Sequence, residues 1–323
     1  MEPKLTSSQL VLPFFVSGHR KEDIAIEKFR TGAGVLKQYG YADKYATLLE
    51  ECRMLVGKGL RNVMLFGVVG EKDSKGTLAD DCEQNPVMNA IKAIRRDRSL
   101  DKMSVMADVC LCEYTDHGHC GVLEEGSSTH VNNEISVNRL AEIAVSYADV
   151  GADVVVPSDM MDGRIGKIRD GLNMSGNGHV AIMSHSSKKA SVLYAPFRSA
   201  VESTFCSDSN RKHYQHPVGS SSIAMRSVMR DLSEGADVVM VKPSLMYGDL
   251  ISRFKEASPT TPVAAYVVSG ECKMLYDYGE STNSLSEIVR ESHLSLVRAG
   301  ASIIVSYMTP MLLDEIPKWS DLA

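Results

Sequence analysis

Three cysteines form the cluster with the most distinctive chemistry in this sequence. Cys110, Cys112 and Cys120 lie within eleven residues of one another. On an extended segment the first two side chains point the same way, and Cys120 returns after a glycine-containing loop. Zinc prefers four tetrahedral ligands, and catalytic zinc sites leave one of these positions to water or substrate. Three cysteines without a nearby fourth therefore favour an open metal site over buried thiols. His117 and His119 are alternative further ligands, although a loop histidine beside the metal is the more usual role.

Two lysines are candidate nucleophiles because of where they lie. Lys242 is inside an apolar run, where a charged side chain is costly without a partner or a role. Lys188 directly follows another apolar run. A lysine in an apolar pocket near a second cation has a lowered pKa and can attack a carbonyl carbon. The alternatives are a buried ion pair of Lys242 with Asp231 or Asp237, and a solvated pair of Lys188 with Lys189.

The other candidates are polar side chains that follow predicted strands. Arg198 and Arg211 lie on one long segment, and arginine binds carboxylates through its planar fork. Ser269 and Tyr307 fall at the ends of two later strands. An isolated loop arginine is usually solvent-exposed, and a single Ser or Tyr carries little weight. Their significance comes from occurring together with the thiols and the lysines.

These residues are far apart in sequence, and the hydrophobic pattern predicts a scaffold that brings them together. Eight short apolar runs, rich in β-branched residues, recur along the chain. They are nearly continuous in apolar residues instead of alternating, as expected for strands buried on both faces. The runs are residues 10–17, 62–68, 103–110, 153–158, 180–186, 237–244, 262–269 and 302–308.

Helical patterns lie between most of these runs. After Ser136, a candidate N-cap, one face carries the apolar residues Val137, Leu140, Ala144 and Tyr147. A second helical pattern extends from Ser284 to Gly300. Strands alternating with helices over roughly 250–300 residues predict an α/β fold of the (β/α)8 TIM-barrel type. A doubly wound open sheet is the alternative, but no glycine-rich phosphate-binding turn follows the first or second strand.

The barrel prediction fixes the domain organisation and the place of the site. We expect residues 1–9 to form a short N-terminal arm and residues 10–323 to form a single barrel domain. The segment 18–61 is long for one loop and one helix, so we expect an excursion on the surface. In such barrels the catalytic residues lie at the C-terminal ends of several strands, which is where the candidates fall.

Composition limits the class of protein. The chain has 323 residues, 44% of them hydrophobic and 24% charged, as in ordinary globular proteins. A net charge of −6 provides no field that would attract nucleic acid or anionic lipid. No apolar stretch approaches the roughly 20 residues that a membrane span needs, and the first residues do not resemble a signal peptide. We therefore expect a cytoplasmic protein that binds neither nucleic acid nor membranes.

Six motifs are long and occur in a specific order between Leu12 and Pro317. They are DVCLCEYTDHGHCG (108–121), VPSDMMDGRI (156–165), YAPFR (194–198), EGADVVMVKPS (234–244), VSGE (268–271) and VSYMTP (305–310). Together they resemble the porphobilinogen synthase (5-aminolevulinate dehydratase) family. The resemblance implies a (β/α)8 barrel with an N-terminal arm that assembles mostly as a homo-octamer. It also implies a hydro-lyase of heme biosynthesis that condenses two 5-aminolevulinate molecules to porphobilinogen with loss of two waters.

The resemblance implies a role for each candidate residue. Lys242 corresponds to the family's Schiff-base lysine, and Lys188 to its second active-site lysine. The three cysteines correspond to the ligands of a catalytic Zn²⁺ site. The carboxylate-binding residues are Arg198, Arg211 and Gln215 for one substrate, and Ser269 and Tyr307 for the other.

The sequence departs from the family at several positions near these residues. Lys189 replaces an aromatic residue, His185 a common Tyr, Ala195 a usual Gly, and residues 216–218 a Leu-Pro-Pro segment. His213 occupies a position where many zinc-using members have a cysteine that can help to bind a second zinc, so a second site with His119 is left open. Two other functions are alternatives: a different lysine-dependent, aldolase-like barrel enzyme with a structural zinc, and a catalytically weak or inactive paralogue that acts as an oligomeric binding protein.

Overall fold

The computed structural model describes residues 4–32, 34–204 and 210–321. Ten strands occur in this part of the chain, and eight of them form a closed parallel barrel in the order β1, β4, β5, β6, β7, β8, β9, β10. The strands are β1 (Leu10–Ser17), β2 (Ile24–Thr31), β3 (Gly34–Tyr39), β4 (Asn62–Val68), β5 (Ser104–Val109), β6 (Val154–Pro157), β7 (Ala181–Lys188), β8 (Val238–Lys242), β9 (Val263–Val267) and β10 (Ile303–Ser306). The barrel and all eight predicted strands are confirmed.

Burial on both faces explains why the barrel strands are so apolar. Every residue of β1 and of β9 is buried, and the other barrel strands are buried apart from their first residues. Pro13 lies within β1 although it cannot donate a ladder hydrogen bond. On one side β1 pairs with β10 at Leu10 and Val11 and with β3 at Phe15 and Val16, so Pro13 falls between the two pairings.

The surface excursion predicted over residues 18–61 contains a β-hairpin that the sequence pattern did not reveal. Strands β2 and β3 pair antiparallel, and β3 extends the sheet beside the upper part of β1. The sequence of β2, IAIEKFRT, mixes charged and apolar residues and lacks the continuous apolar character used to find the barrel strands. A strand that pairs along the margin of a barrel does not need that character.

Ten α-helices, together with short 3₁₀ turns, occur in the described part of the chain. They are α1 (Ala46–Gly57), α2 (Pro86–Arg96), α3 (Asn133–Asp149), α4 (Arg164–Met174), α5 (Ala195–Ala200), α6 (Ser222–Ser233), α7 (Gly248–Ala257), α8 (Ser269–Thr282), α9 (Leu285–Ala299) and α10 (Thr309–Glu315). No described helix combines the length and the apolar character required to cross a membrane.

The ends of α3 and α9 show which capping predictions hold. The predicted apolar face of α3 is buried, but Ser136 is not its N-cap. That position belongs to Asn132, whose side chain accepts the N–H of Ile135 at 3.0 Å, one turn earlier than predicted. For α9, Ser284 is the N-cap position and Gly300 the C-cap, with φ at 114° in the left-handed region that favours glycine.

The first described residues pack against the N-terminal end of the barrel. Leu5 is buried, and a short 3₁₀ turn spans Ser7–Gln9. The side-chain amide of Asn62, the first residue of β4, donates to the carbonyl oxygen of Ser8 at 3.1 Å. This end of the barrel is opposite to the one that carries the candidate residues, because β7 and β8 terminate in the two lysines.

Candidate active site

The barrel brings the candidate residues to one end, as the sequence predicted. Lys188 is the last residue of β7 and Lys242 the last of β8, and the two are register partners in these neighbouring strands. Cys110 follows the end of β5 directly. Because parallel strands end on the same side of a barrel, all three lie at its C-terminal mouth, the face on which barrel enzymes carry their active sites.

The three cysteines form one compact, buried cluster. The Sγ atoms of Cys110, Cys112 and Cys120 all lie within 4.8 Å of one another, and the first two are 3.3 Å apart. Hydrogen bonds from Cys110 and Cys112 hold the pKa of Cys120 well below its usual value, whereas burial raises the pKa of Cys110. Three thiol sulfurs at this spacing fit a soft or borderline cation such as Zn²⁺.

Lys242 lies in an aromatic box. Its Nζ is 3.9 Å from the ring centre of Tyr266 and 5.6 and 5.8 Å from those of Phe197 and Phe66. Burial, together with the positive charge of Lys188, lowers the pKa of Lys242 to about 7. A large neutral fraction is therefore present near neutral pH, as a lysine nucleophile requires.

Lys188 is buried beside Lys242 but has a different environment. Its Nζ donates to the carbonyl oxygen of Ser158 at 2.5 Å. Burial lowers the pKa of Lys188, but the negative charge of the cysteine cluster, Cys120 above all, outweighs burial and raises it. The pKa of Lys188 is therefore raised and that of Lys242 lowered, so that Lys188 is the cation and Lys242 is the available amine.

The structure rejects both simpler explanations of these lysines. Asp231 lies 3.6 Å from the guanidinium of Arg164, and Asp237 pairs with Arg169, so neither neutralises Lys242. Lys188 and Lys189 are both buried, so they are not a solvated pair.

Lys189 instead binds main-chain oxygens of residues 217–220, which precede α6. Its Nζ donates to the carbonyl oxygens of Ser220 and, at 3.4 Å, Pro217. At the position where the family resemblance implies an aromatic residue, this chain thus has a buried cation that binds main-chain oxygens.

Two carboxyl groups at the site were not predicted. Asp108, on β5, accepts a hydrogen bond from the Ser158 hydroxyl at 3.0 Å, and burial raises its pKa to about 6. Glu113 is 1% exposed, and burial, reinforced by the charge of Asp108, raises its pKa well above its usual value. The sequence signal was available, since Asp108 occurs within an apolar run and Glu113 lies inside the cysteine segment.

The predicted carboxylate-binding arginines approach the lysines from the long segment after β7. Arg198, on α5, and Arg211 both line the cavity that contains Lys188 and Lys242. Arg211 is buried and donates to the carbonyl oxygen of Gly118 at 2.8 Å, which ties this segment to the cysteine loop. Gln215 is buried one turn further on, its N–H donating to the carbonyl oxygen of Arg211 at 2.9 Å.

Ser269 and Tyr307 do not line this cavity, but both contact residues that surround Lys242. The Ser269 hydroxyl, at the start of α8, accepts the N–H of Phe197 at 3.0 Å. The hydroxyl of Tyr307 lies 3.0 Å from that of Tyr266. Ser269 and Tyr307 therefore reach Lys242 only through an intervening residue, because Phe197 and Tyr266 are walls of its aromatic box.

The two histidines considered for a second metal site have different surroundings. His119 is buried with its Nδ1 3.1 Å from the Tyr214 hydroxyl, whereas His213 is exposed beside His130, with ring centres 5.8 Å apart. Within the described residues the three cysteines are the one group of three metal-binding side chains at ligand spacing.

The cavity at the barrel mouth is narrow. It encloses about 20 Å³ of free space, room for about one water molecule. Its walls are Phe66, Asp108, Cys112, Glu113, Ser158, Lys188, Tyr194, Phe197, Arg198, Arg211 and Lys242. Fold and site together define a (β/α)8-barrel enzyme whose mouth combines two lysines of different pKa, a thiol cluster and a pair of arginines.

Comparison with known proteins identifies the family. A sequence model described as delta-aminolevulinic acid dehydratase matches residues 1–315. The delta-aminolevulinic acid dehydratases of Eremothecium gossypii and Macaca fascicularis are 44% and 41% identical to this chain, each over 318 residues. These alignments cover 97% of this chain and 89% and 92% of the respective relatives.

A solved structure agrees with the sequence relatives. Delta-aminolevulinic acid dehydratase (porphobilinogen synthase) from Toxoplasma gondii, in complex with the reaction product porphobilinogen, superposes with a TM-score of 0.89 at 33% identity. The match covers 99% of this chain and 86% of that chain. This chain therefore belongs to the delta-aminolevulinic acid dehydratase family and is a lyase, as the resemblance predicted.

Proposed function

We propose that this protein condenses two molecules of 5-aminolevulinate to porphobilinogen with loss of two waters, through a Schiff base on Lys242. The observation that carries the proposal is the aromatic, desolvated environment of Lys242, which lowers its pKa to about 7 beside the cationic Lys188. Membership of the dehydratase family, and the product bound by the Toxoplasma gondii relative, support the choice of substrate.

The first chemical step follows from the neutral amine. The Nζ of Lys242 attacks the keto carbon of one substrate, forming a C–N bond, and loss of one water gives a protonated imine. That imine withdraws electrons from the adjacent carbon and so assists the later bond formation. Lys188 remains charged and binds the second substrate, as the family resemblance implies.

The substrates must also be oriented, since each carries a carboxylate. We assign the carboxylate of one substrate to Arg198, Arg211 and Gln215, because guanidinium forks bind carboxylates in two parallel hydrogen bonds. The other carboxylate is assigned to Ser269 and Tyr307. Both sets are near Lys242, since Arg198 and Arg211 line its cavity, and Ser269 and Tyr307 are hydrogen-bonded to walls of its aromatic box.

The cysteine cluster would hold Zn²⁺ through Cys110, Cys112 and Cys120. Three thiolates leave one tetrahedral position for a substrate atom or water, and zinc bound in this way supplies Lewis-acid chemistry. The donor set supports zinc over magnesium, since thiolates select softer cations and Mg²⁺ prefers oxygen.

The test is to incubate the purified protein with 5-aminolevulinate and to measure the pyrrole product. Borohydride reduction of the same mixture should attach one substrate mass, and peptide mapping should place it on the peptide that contains Lys242. Pyrrole formation would exclude an aldolase-like enzyme and an inactive binding protein. An adduct only on Lys189 or on surface lysines would overturn the mechanism.

The remaining predictions concern assembly and location. The octamer is proposed on the family resemblance alone, and sedimentation analysis tests it. The arrangement of one arm, residues 1–9, and one barrel domain, residues 10–323, and the cytoplasmic location also remain predictions from the sequence.

A further inference from the structure

Glu202 occupies an unfavourable position just beyond the end of α5. Val201 is the C-cap of this short helix, and Glu202 follows it with φ at 49°, in the left-handed region that favours glycine. A negative charge at the C-terminal end of a helix also has the less favourable sign. A residue that goes against local preference in two ways persists where tertiary contacts determine its conformation.

Three side chains make such contacts with the Glu202 carboxylate. Arg20 forms an ion pair with it at 2.9 Å, and the Nε2 of His19 lies 3.5 Å from it. Gln38, which is buried on β3, donates to the carboxylate at 3.1 Å. The same amide group donates to the carbonyl oxygen of Ala200, the last residue of α5, at 2.8 Å. Gln38 therefore ties the carboxylate to the end of the helix.

The main chain of Glu202 is held by a further element. Lys72, in the loop after β4, donates to its carbonyl oxygen at 2.8 Å. The groups that meet at the end of α5 thus come from the loop after β1, from the β2–β3 hairpin and from the loop after β4. Among the described residues, none in these three segments lines the cavity at the barrel mouth.

Helix α5 nevertheless carries two walls of that cavity. They are Phe197, whose ring centre is 5.6 Å from the Nζ of Lys242, and Arg198, to which we assign a substrate carboxylate. The carbonyl oxygen of Arg198 accepts the N–H of Ser203 at 3.0 Å, so the turn that contains Glu202 closes directly on the arginine. A change in the way α5 ends should therefore displace Arg198.

We propose that Glu202 is a positioning residue for the substrate-binding Arg198. Its contacts with Arg20 and Gln38 hold the end of α5, so that the guanidinium is in place before the carboxylate arrives. The inference rests on the proposed function, and it gives the surface excursion of residues 18–61 a role in the reaction. A binding group that is already in place spares the complex the entropy of ordering it, so the effect should appear in KM and not in kcat.

The experiment measures kcat and KM for 5-aminolevulinate in variants of the ion pair. Glu202→Ala removes all three side-chain contacts and keeps a residue that disfavours a positive φ, so KM should rise about threefold to tenfold. Arg20→Met should raise KM about twofold to fivefold, because an ion pair whose side chains are 39% and 32% exposed contributes little more. In both variants kcat should stay within about twofold of the parent. Glu22→Ala, at an exposed glutamate in the same loop as Arg20, is the matched control and should change neither constant.

Removal of the arginine shows whether Glu202 acts through it. In an Arg198→Met background, Glu202→Ala should change kcat/KM by less than about twofold, whereas independent effects would multiply. Multiplied effects, an unchanged KM in Glu202→Ala, or a fall in kcat alone would each overturn the inference.

Two further measurements keep the test decisive. If Arg198→Met is too slow to assay, hydrogen exchange over residues 195–201 must be faster in Glu202→Ala than in the parent, and an unchanged rate refutes the proposal. Should Glu202→Ala fail to fold, the same comparisons are made with Arg20→Met. Failure of the proposed function would be visible separately, as absence of pyrrole and of a Lys242 adduct in the unaltered enzyme.

Discussion

Replacing Lys188 with methionine should raise the pKa of Lys242. Methionine keeps the length and burial of the side chain but removes the positive charge, the second largest cause of the lowered pKa of Lys242. Burial is the largest cause and is unchanged. The pKa of Lys242 in Lys188→Met should therefore lie above about 7 but still below its usual value of 10.5.

The size of the effect follows from the fraction of neutral amine. A lysine with a pKa of about 7 is about half neutral at pH 7, whereas one with an ordinary pKa of about 10.4 is only about 0.04% neutral. The barrel mouth thus increases the reactive fraction about a thousandfold. Part of that gain should be lost in Lys188→Met at pH 7, and the loss should disappear at pH 10, where the amine is largely neutral in both proteins.

The assay is the rate of borohydride trapping at Lys242 as a function of pH, measured by mass spectrometry. The ketone is 4-oxopentanoate, an analogue of 5-aminolevulinate that lacks the amine. The analogue makes the readout independent of turnover, which Lys188→Met is expected to impair. Lys212→Met, at an exposed lysine, is the matched control and should leave the midpoint near 7. A midpoint that is unchanged or lower in Lys188→Met would refute the reasoning.

Three further predictions test other parts of the molecule. A strong chelator should abolish activity and zinc should restore it, with inhibition by lead for the same reason of thiolate preference; full activity in protein shown by elemental analysis to lack zinc would contradict this. Lys189→Met should speed hydrogen exchange over residues 211–221 and raise KM, because the carbonyls of Pro217 and Ser220 lose their donor, while Lys212→Met should do neither. His293 is buried and hydrogen-bonded to Val289 and Ser306, and burial lowers its pKa to about 4. As pH falls from 6.5, this histidine is therefore protonated in the unfolded chain before it is protonated in the folded protein. The free energy of unfolding should therefore drop by about 3 kcal/mol between pH 6.5 and 4, and His293→Asn should lack that part of the drop in pH-dependent melting.

The barrel was predictable because its strands have a strong and simple signal. Burial on both faces forces β-branched, apolar runs, and each of the eight runs became a strand. The β2–β3 hairpin was not predictable in this way, since it lies at the margin of the barrel, where polar residues are tolerated. The N-cap of α3 was missed because Asn132 and Ser136 are both good capping residues, and the sequence pattern does not fix which turn comes first.

The site was predictable where residue type and strand position coincide. Lys188, Lys242 and the cysteines met both conditions, and the barrel brings them to one mouth. Asp108, inside a predicted strand, carried a sequence signal that went unused, whereas an acid such as Glu113 in a loop is ordinarily solvated, and only the folded chain shows that it is buried. The sequence likewise suggested that Lys189 was a surface lysine, although its ammonium group binds two carbonyl oxygens within the protein.

Closure of the barrel between β1 and β10 has a consequence for synthesis in the cell. Leu10 and Val11 pair with Ile304 and Val305, so the first barrel strand has no partner on this side until β10 has been synthesised. Until then, β1 and β9 each present a row of unpaired main-chain groups, the kind of edge that recruits other strands. We expect chains truncated before Ile303 to aggregate, and nascent chains to depend on chaperones until the final strand emerges from the ribosome.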